Sequence, residues 1–487
     1  MSLIQMPKAD AMVIGRRQAI VGGLSRALGQ GTLVSDDGGL RAFETDALTA
    51  YRTVPMAAVL PRSTDEVSRV LKFCSENRIK AVARGAGTSL CGGALPAEDS
   101  IVIGLSRMNR ILDVNFLDRT ATVEAGITNL GISNAVGAAR FFYAPDPSSQ
   151  FACTIGGNIA MNSGGAHCLK YGVTANNVLK VKMVLMNGEI VELGGDYLDP
   201  QGYDLLGLAT GSEGQFGIVT EVTVRILRQA EGARPMLIGF GSAESAGACV
   251  SAIIADGLIP VAIEFMDKLA IEVCDDFAKA GYPRDAGAML IVEVEGSANE
   301  IEEQIQSVKE IASRFEPTAM RVSQSEEESA AIWKGRKSAF GAVGRISDYY
   351  CMDGVIPLGK LAEVLKQVED AGKKHQLKIL NIFHAGDGNL HPLILYNANN
   401  EREKHAAEEC GAELLKLCVD AGGCLTGEHG VGIEKRDLMR YQYTDSDLIQ
   451  QMRVKAAFDP QWLLNAGKVF PLDLQTRFAA EALEKHG

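Results

Sequence analysis

The sequence has no paired-cysteine motif, although it contains ten cysteines. No two of them are separated by two residues, which is the spacing typical of zinc ribbons and iron–sulfur clusters. We therefore expect reduced, mostly buried thiols and no iron–sulfur cluster on this chain.

Basic residues are in deficit. There are 48 Lys and Arg against 61 Asp and Glu, and the formal net charge is -13. This balance argues against nucleic acid or an anionic lipid surface as a partner. An anionic substrate would need positive charge concentrated at its binding site.

Long apolar runs are also missing, because every hydrophobic stretch is interrupted by glycine or charge well before it could cross a bilayer. Arg16 and Arg17 resemble part of a twin-arginine export signal, but the apolar stretch after them is short and no cleavage pattern follows. We predict an amphipathic N-terminal helix, no transmembrane segment and a cytoplasmic protein, at most peripheral to the inner membrane through partner subunits.

The length of 487 residues predicts two or three domains. Ser63 and Glu66 can form a capping box for a helix over 64–76, and a strand is predicted over 80–83. Asn187-Gly188 predicts a type I′ hairpin turn between strands 178–186 and 189–193. The chain divides into an N-terminal helical segment (1–50), a mixed α/β domain (51–230), an α+β domain (235–443) and a C-terminal segment (444–487) that packs back on the earlier domain.

Three segments rich in glycine and hydroxyl residues lie in the first half, at 84–93, 145–165 and 211–217. Their backbone amides can approach a phosphate closely, and Thr88 and Ser89 can donate further hydrogen bonds. Taken alone, the segment 84–93 is more often just a tight connection, and it fits neither G-x-G-x-x-G nor G-x-x-x-x-G-K. Together the three favour a large phosphorylated cofactor.

Two of the seven histidines enclose a tight turn, at His384 and His391. A hairpin here would pair His384 directly with His391, with Cβ atoms roughly 5 Å apart. They could share a divalent metal, zinc, manganese or iron, with Glu428 as third ligand, and His429 could then act as a base. Alternatively, each histidine satisfies a buried hydrogen bond.

Arg336 lies between Lys334 and Lys337 on what the sequence predicts to be a helix surface. A guanidinium suits a substrate carboxylate because it forms two parallel hydrogen bonds. The other interpretation is a solvated basic face.

The three glycine-rich segments resemble those of the FAD-binding domain in the vanillyl-alcohol-oxidase-type flavoproteins. The resemblance implies an α+β fold: a two-subdomain FAD-binding domain of that type, an α+β substrate (cap) domain, and a C-terminal segment that returns to the FAD domain. It implies FAD, bound non-covalently because residues 84–93 contain no histidine. The implied cofactor-binding residues are Arg84, Gly85, Ala86, Gly87, Thr88, Ser89, Pro145, Asp146, Ser148, Ser149, Thr154, Gly157, Asn158, Gly164, Gly211, Glu213, Gly217, Ile218 and Asn465.

The second half resembles the D-2-hydroxy-acid dehydrogenases of this flavoprotein group, through Arg336, residues 384–391 and residues 427–430. The resemblance implies oxidation of a small 2-hydroxy acid, glycolate or D-lactate, with D-2-hydroxyglutarate as an alternative. Arg336 would hold the carboxylate, His384, His391 and Glu428 a metal, and His429 the proton. Electrons would pass from the flavin to a partner subunit or to a quinone, and the resemblance implies an iron–sulfur partner and a second flavin-type subunit. A non-enzymatic flavin subunit is the competing class.

Overall fold

The computed structural model describes residues 4–28, 31–196 and 202–478, and every structural statement below concerns these residues. The outermost parts of the predicted N- and C-terminal segments, 1–3 and 479–487, lie outside them.

Helices occur throughout the described chain. In chain order they are α1 (Ala11–Gly15), α2 (Arg17–Ala27), α3 (Asp37–Leu40), α4 (Thr64–Glu76), α5 (Asn129–Val136), α6 (Ile155–Met161), α7 (Cys168–Tyr171), α8 (Leu205–Ala209), α9 (Ala243–Ala255), α10 (Lys268–Ala278), α11 (Ala298–Ser313), α12 (Glu326–Lys337), α13 (Ala339–Gly344), α14 (Leu361–His375), α15 (Glu401–Asp420), α16 (Met439–Gln442) and α17 (Asp445–Phe458). Short 3-10 turns span Arg41–Phe43, Gly137–Ala139, Thr174–Asn176, Leu358–Lys360 and Arg436–Leu438.

The strands fall into several sheets. They are β1 (Leu33–Val34), β2 (Ala57–Val59), β3 (Lys80–Arg84), β4 (Ser100–Gly104), β5 (Ile111–Asn115), β6 (Thr120–Glu124), β7 (Phe141–Phe142), β8 (Val178–Val184), β9 (Ile190–Gly194), β10 (Ile218–Arg225), β11 (Leu227–Arg228), β12 (Gly232–Phe240), β13 (Ala262–Asp267), β14 (Ala288–Gly296), β15 (Ala319–Val322), β16 (Asp348–Cys351), β17 (Gly354–Val355), β18 (Lys378–His384), β19 (Asn389–Leu390) and β20 (Pro392–Tyr396).

The chain forms two compact units that interleave in sequence. The first unit contains residues 4–164, 173–228 and 428–478, and the second contains Gly165–Gly172 and Gln229–Gly427. Each is described by itself.

The first unit is built on two sheets, one with strand order β1-β2-β4-β3 and one with order β5-β6-β10-β8-β9. The pairs β2·β4 and β3·β4 are parallel, and the second sheet is antiparallel. Helix α4 connects β2 to β3 and has the predicted bounds. Its apolar positions recur at helical spacing and are buried in the core beside the first sheet: Val67, Val70, Leu71 and Cys74.

The N-terminal cap of α4 contains one of the two hydrogen bonds of the predicted capping box. The Ser63 hydroxyl accepts from the Glu66 amide at 3.3 Å, as expected. The Glu66 carboxylate, however, accepts from the Arg62 amide at 2.7 Å rather than from Ser63. Two donors near the helix start are still satisfied, so the helix begins at the predicted residue.

The hairpin between β8 and β9 is present, but the type I′ turn was wrong. Type I′ needs positive φ at both central residues, whereas only Gly188 has it, at 87°. The Gly188 amide donates to the Leu185 carbonyl at 2.9 Å, and the Leu185 amide donates to the Glu189 carbonyl at 2.9 Å. The glycine therefore supplies the left-handed residue of a longer loop.

The C-terminal segment joins the first unit through backbone hydrogen bonds beside β3. The Ala81 amide donates to the Leu463 carbonyl at 2.9 Å, and the Asn465 amide donates to the Ala81 carbonyl at 2.8 Å. Lys455 is fully buried and donates to Asp459 at 2.8 Å and to the carbonyls of Gln215 and Leu464. The hydrogen bond from Lys455 to the Gln215 carbonyl connects α17 to the segment 211–217.

The second unit is a largely antiparallel sheet with the strand order β15-β12-β14-β13-β18-β19-β17, to which β20 adds through β18 and β16 through β20. Helices α10, α12 and α13 pack over an apolar core that includes Ile271, Ile332 and Val343. Helices α9, α11 and α14 also pack on the sheet or on one another. A sheet with one apolar face covered by helices is the expected way to bury strands as apolar as β13 and β14.

All ten cysteines are free thiols and nine are buried, as predicted. Among the described helices, none combines the length and the apolar character that a bilayer crossing requires.

Candidate active site and cofactor loops

A buried carboxylate, Glu264, joins two of the predicted site residues in the second unit. Glu264 stands in the middle of β13, directly across from His384 on β18. One oxygen, Oε1, lies 2.7 Å from His384 Nδ1. The other, Oε2, lies 2.6 Å from both Nε and Nη2 of Arg336. Carboxyl, imidazole and guanidinium therefore form one hydrogen-bonded network.

Arg336 lies on a helix, α12, as predicted, and the alternative interpretation of a solvated basic face was wrong for this residue. The residue is 3% exposed, whereas Lys334 and Lys337 on the same helix are exposed. A guanidinium can be buried when a carboxylate neutralises it and accepts its N–H groups, and Glu264 does both. Within the described chain, Nη1 makes no hydrogen bond, so this end of the guanidinium can receive a ligand.

Burial would raise the pKa of Glu264, but the positive charge of Arg336 and the His384 imidazole outweigh burial and hold it below its ordinary value. The carboxyl is therefore ionised and acts only as a hydrogen-bond acceptor.

His384 and His391 come together, although by a different register from the predicted one. His384 pairs with Asn389, and Asn381 pairs with Pro392. In this register His391 stands across from Ile382, two residues before His384 and on the same face of the strand. The rings are 5.3 Å apart between centroids and nearly perpendicular, at 81°. The predicted direct pairing was thus wrong by two residues, which preserves the face because strand side chains alternate.

A second buried carboxylate, Asp353, lies beside His391. Its Oδ1 is 3.5 Å from His391 Nε2. Its Oδ2 accepts from the Thr426 hydroxyl at 2.5 Å and from the Gly427 amide at 3.0 Å. Asp353 therefore fixes the chain immediately before Glu428.

Glu428 and His429 follow directly and are counted with the first unit. Their side chains are only 12% and 10% exposed, and His429 Nε2 lies 3.8 Å from Glu428 Oε1. The segment after them is held within the first unit, where the amides of Val431 and Gly432 each donate to Glu213 at 2.7 Å.

The donor set in the second unit fits a divalent metal. Two imidazoles on one face have ligand atoms within 4.8 Å of each other. His384 also hydrogen-bonds through Nδ1 to the buried carboxylate of Glu264, an arrangement typical of metal-binding histidines.

The first and second cofactor segments meet in the first unit in a way that fits a bound phosphate group. A Cβ on Gly85 would overlap Thr154 Oγ1, so only glycine allows this approach. Gly87 has a φ of 76°. The Thr154 hydroxyl is buried and has no hydrogen-bond partner in the described residues. An oxygen of a bound phosphate group would satisfy the hydrogen-bonding capacity of this buried hydroxyl beside the glycine loop.

Other predicted cofactor residues brace these loops with their side chains. Glu213 accepts hydrogen bonds from the backbone amides of Val431 and Gly432. Asn465 donates to the carbonyls of Gly93 and Glu213 at 3.1 and 2.6 Å. Asn158 accepts from Asn129 at 3.0 Å, and Asn129 also donates to the Pro145 carbonyl. In the described structure these side chains link the glycine-rich segments to one another.

Sequence reasoning missed Glu264, Asp353 and the bracing lysine Lys468. Lys468 is buried and donates to the Gly93 carbonyl at 2.7 Å and to Asn465 Oδ1 at 2.6 Å. Burial lowers its pKa to about 8. Glu264 could have been found from the sequence, because it is the single charged residue in the otherwise apolar segment 261–266.

Comparison with known sequences gives the family. Residues 55–194 match the FAD binding domain model, and residues 230–469 match the model for the C-terminal domain of FAD linked oxidases. The glycolate oxidase subunit GlcD of Escherichia coli (strain K12) is 48% identical over 430 residues, covering 88% of this chain and 86% of that protein. The D-lactate dehydrogenase of Archaeoglobus fulgidus is 32% identical over 434 residues, covering 88% and 95%.

Solved structures agree on the fold. The 4-ethylphenol oxidase from Gulosibacter chungangensis superposes with a TM-score of 0.80 at 16% identity, covering 96% of this chain and all of that one. The chain belongs to the FAD-linked oxidases and has the fold of the vanillyl-alcohol-oxidase type. The predicted fold, the FAD cofactor and the assignment to flavoprotein oxidoreductases are confirmed.

Proposed function

We propose that this protein oxidises a small 2-hydroxy acid, glycolate foremost, to the 2-keto acid. The observation that carries the proposal is the buried network of Arg336, Glu264 and His384, with His391 beside it. It places a carboxylate-binding group next to two potential metal ligands. The similarity to a glycolate oxidase subunit at 48% identity and to a D-lactate dehydrogenase at 32% supports the same substrate class.

The three glycine-rich segments would hold FAD non-covalently, with the Thr154 hydroxyl and the amides near Gly85 and Gly87 on its pyrophosphate. FAD, when bound, supplies a two-electron acceptor for the C–H bond of the substrate. We assign residues 51–230 to the FAD-binding domain, with the C-terminal segment 444–487 returning to it, and residues 235–443 to the substrate domain.

Arg336 would pair with the substrate carboxylate through Nη1, the guanidinium nitrogen that does not contact Glu264. His384, His391 and Glu428 would hold a divalent metal, which supplies a Lewis acid for the 2-hydroxyl group. His429 would accept the hydroxyl proton on a ring nitrogen. Glu428 and His429 directly follow Gly427. The Gly427 backbone amide donates a hydrogen bond to Asp353.

Electrons must leave the reduced protein. The chain has no paired-cysteine motif, and its relative is named as one subunit of a glycolate oxidase. We therefore propose an iron–sulfur partner subunit and a second flavin-type subunit. The cytoplasmic location expected from the sequence stays a prediction.

The test is anaerobic mixing of the flavoprotein with glycolate in a stopped-flow instrument. We expect His429→Asn to slow flavin reduction by roughly 100-fold or more, in the range that general-base catalysis provides, while FAD content is unchanged. His405→Asn, a change at the partly exposed helical His405, is the matched control and should reduce as fast as wild type. Equal rates in His429→Asn and wild type would refute the role of His429. Full activity after chelator treatment would refute the metal.

A further inference from the structure

Lys468, in the C-terminal segment, is a buried cation of the first unit. The residue is 4% exposed. Its Nζ donates to the Gly93 carbonyl at 2.7 Å and to Asn465 Oδ1 at 2.6 Å. Gly93 ends the first glycine-rich segment, and Asn465 also donates to the Glu213 carbonyl in the third. The ammonium group therefore lies where two of the three cofactor segments are joined.

The positive charge of Lys468 has no ion-pair partner among the described residues. The carboxylates of Asp46 and Glu213 attract it, but neither forms a hydrogen bond or an ion pair with it. An ammonium group has three N–H donors. The contacts with Gly93 and Asn465 account for two of them, so one donor has no acceptor in the part of the chain that the structure describes.

The carboxylates of Asp46 and Glu213 are already occupied by the backbone. Each of their four oxygens accepts a hydrogen bond from a main-chain amide, and the donors are Leu48, Ala94, Val431 and Gly432. Neither carboxylate could pair with Lys468 instead without leaving buried amides unsatisfied, which is costly. The two carboxylates therefore fix the surrounding loops and do not neutralise the lysine.

Lys455 is the matched case of a buried lysine in the same segment. It donates to the carbonyls of Gln215 and Leu464, as Lys468 donates to two neutral oxygens, but it also forms an ion pair with Asp459 at 2.8 Å. Burying a charge without a partner costs free energy. Burial lowers the pKa of Lys468 to about 8, so the group is mostly protonated at neutral pH. An anion is therefore expected at Lys468.

We propose that Lys468 is a cofactor-binding residue whose ammonium group pairs with an anionic oxygen of bound FAD. Two parts of FAD offer such an oxygen: the diphosphate in either redox state, and the flavin ring after reduction, whose electronics respond to nearby charge. This inference rests on the FAD-binding segments of the proposed function and not on its substrate or its metal. It adds to the cofactor site a residue that the sequence did not assign to it.

Three variants separate the charge of Lys468 from its bracing contacts. Lys468→Met removes both the charge and the hydrogen bonds. Lys468→Gln removes the charge but keeps an NH2 group that can donate to the Gly93 carbonyl, so it serves if Lys468→Met fails to fold. Lys455→Met is the control, because it removes a buried ammonium group with two backbone contacts from the same segment.

The first measurement is calorimetric titration of FAD and of ADP into full-length protein from which FAD has been removed. ADP carries a diphosphate but no flavin ring. If the diphosphate is the partner, both Lys468 variants should bind FAD and ADP roughly 10- to 100-fold more weakly, as expected for the loss of a hydrogen bond to a charged group. Lys455→Met should bind both ligands as wild type does.

The second measurement is the midpoint potential of the bound flavin, determined by reduction in the presence of a reference dye. If the reduced ring is the partner, the Lys468 variants should bind ADP and oxidised FAD as wild type does but hold the reduced form less tightly. Their potential should then fall by about 30 mV for each tenfold loss of affinity for the reduced form. Lys455→Met should keep the wild-type potential.

Wild-type FAD affinity together with a wild-type potential in a folded Lys468 variant would overturn the proposal. An equal change in Lys455→Met would also overturn it, because Lys468 would then act only by bracing the segments. Neither measurement uses glycolate or a divalent metal. If glycolate fails to reduce the flavin, the role of Lys468 is unaffected, and if the Lys468 variants behave as wild type does, the proposed oxidation stands.

Discussion

Replacing Arg336 with lysine should reduce the catalytic efficiency for glycolate without unfolding the protein. Two of the arginine's nitrogens, Nε and Nη2, donate to Glu264, and Nη1 is left for the substrate. A lysine can maintain the ion pair with Glu264, so no uncompensated charge is left in the core. Its single nitrogen cannot both hold Glu264 and occupy the position from which Nη1 would donate to the substrate.

The expected magnitude follows from the loss of one charged hydrogen bond. Such a bond contributes about 1.5–3 kcal/mol. Since each 1.36 kcal/mol is tenfold in rate, kcat/KM should fall by roughly 10- to 150-fold. The assay is steady-state oxidation of glycolate with a dye acceptor, compared with ethylene glycol, which lacks the carboxylate. Activity toward ethylene glycol should be similarly low in wild type and Arg336→Lys.

Lys334→Gln, an exposed change on the same helix, is the control and should leave kcat/KM for glycolate within about twofold, the small effect expected of a surface charge. Unchanged efficiency in Arg336→Lys, or an equal loss in Lys334→Gln, would refute the assignment of the carboxylate to Arg336.

Three further predictions concern stability and cofactor binding. Lys455→Met leaves the buried Asp459 carboxylate without its cation, so unfolding in urea should show a loss of about 3–5 kcal/mol; full stability would contradict a stabilising role for this ion pair. Burial raises the pKa of Asp267 from 3.8 to about 6. The protonated Asp267 therefore contributes fully to the free energy of unfolding at a pH below 3.8, the pKa of the unfolded chain, and this contribution is lost as the pH rises through 6. Between pH 4 and 7 wild type should therefore lose up to roughly 3 kcal/mol that Asp267→Asn does not lose, and parallel urea midpoints would contradict this. Thr154→Val removes a buried, unpaired hydroxyl, so FAD should bind about fivefold more weakly, as expected for about 1 kcal/mol, while the apoprotein keeps its thermal midpoint; unchanged FAD affinity would remove Thr154 from the cofactor site.

The sequence predicted well those features that depend on neighbouring residues. The helix over 64–76 follows from its cap and its apolar spacing, and both bounds were confirmed. The two histidines share a face because strand side chains alternate, and that alternation survives a register error of two residues. The turn type at Asn187-Gly188 was wrong because a two-residue signal does not determine how many residues the loop uses.

The parts that escaped prediction depend on residues far apart in the chain. Glu264 is separated from His384 by 120 positions and from Arg336 by 72. When only the neighbouring residues are considered, the two lysines beside Arg336 indicate an exposed position, because the contact with Glu264 is not visible in the sequence. Asp353 and Thr426 are separated by 73 positions. Spacing along the chain carries no information about such pairs, so the burial of Arg336 could only come from the structure.

Anaerobic titration of the purified flavoprotein with glycolate tests the central claim most directly. The flavin absorbance should bleach in proportion to glycolate added, with glyoxylate formed in equal amount, and acetate, which has the carboxylate but no hydroxyl, should bleach nothing. D-Lactate should reduce the flavin more slowly than glycolate does. A flavin that stays oxidised with glycolate, D-lactate and D-2-hydroxyglutarate alike would contradict the account.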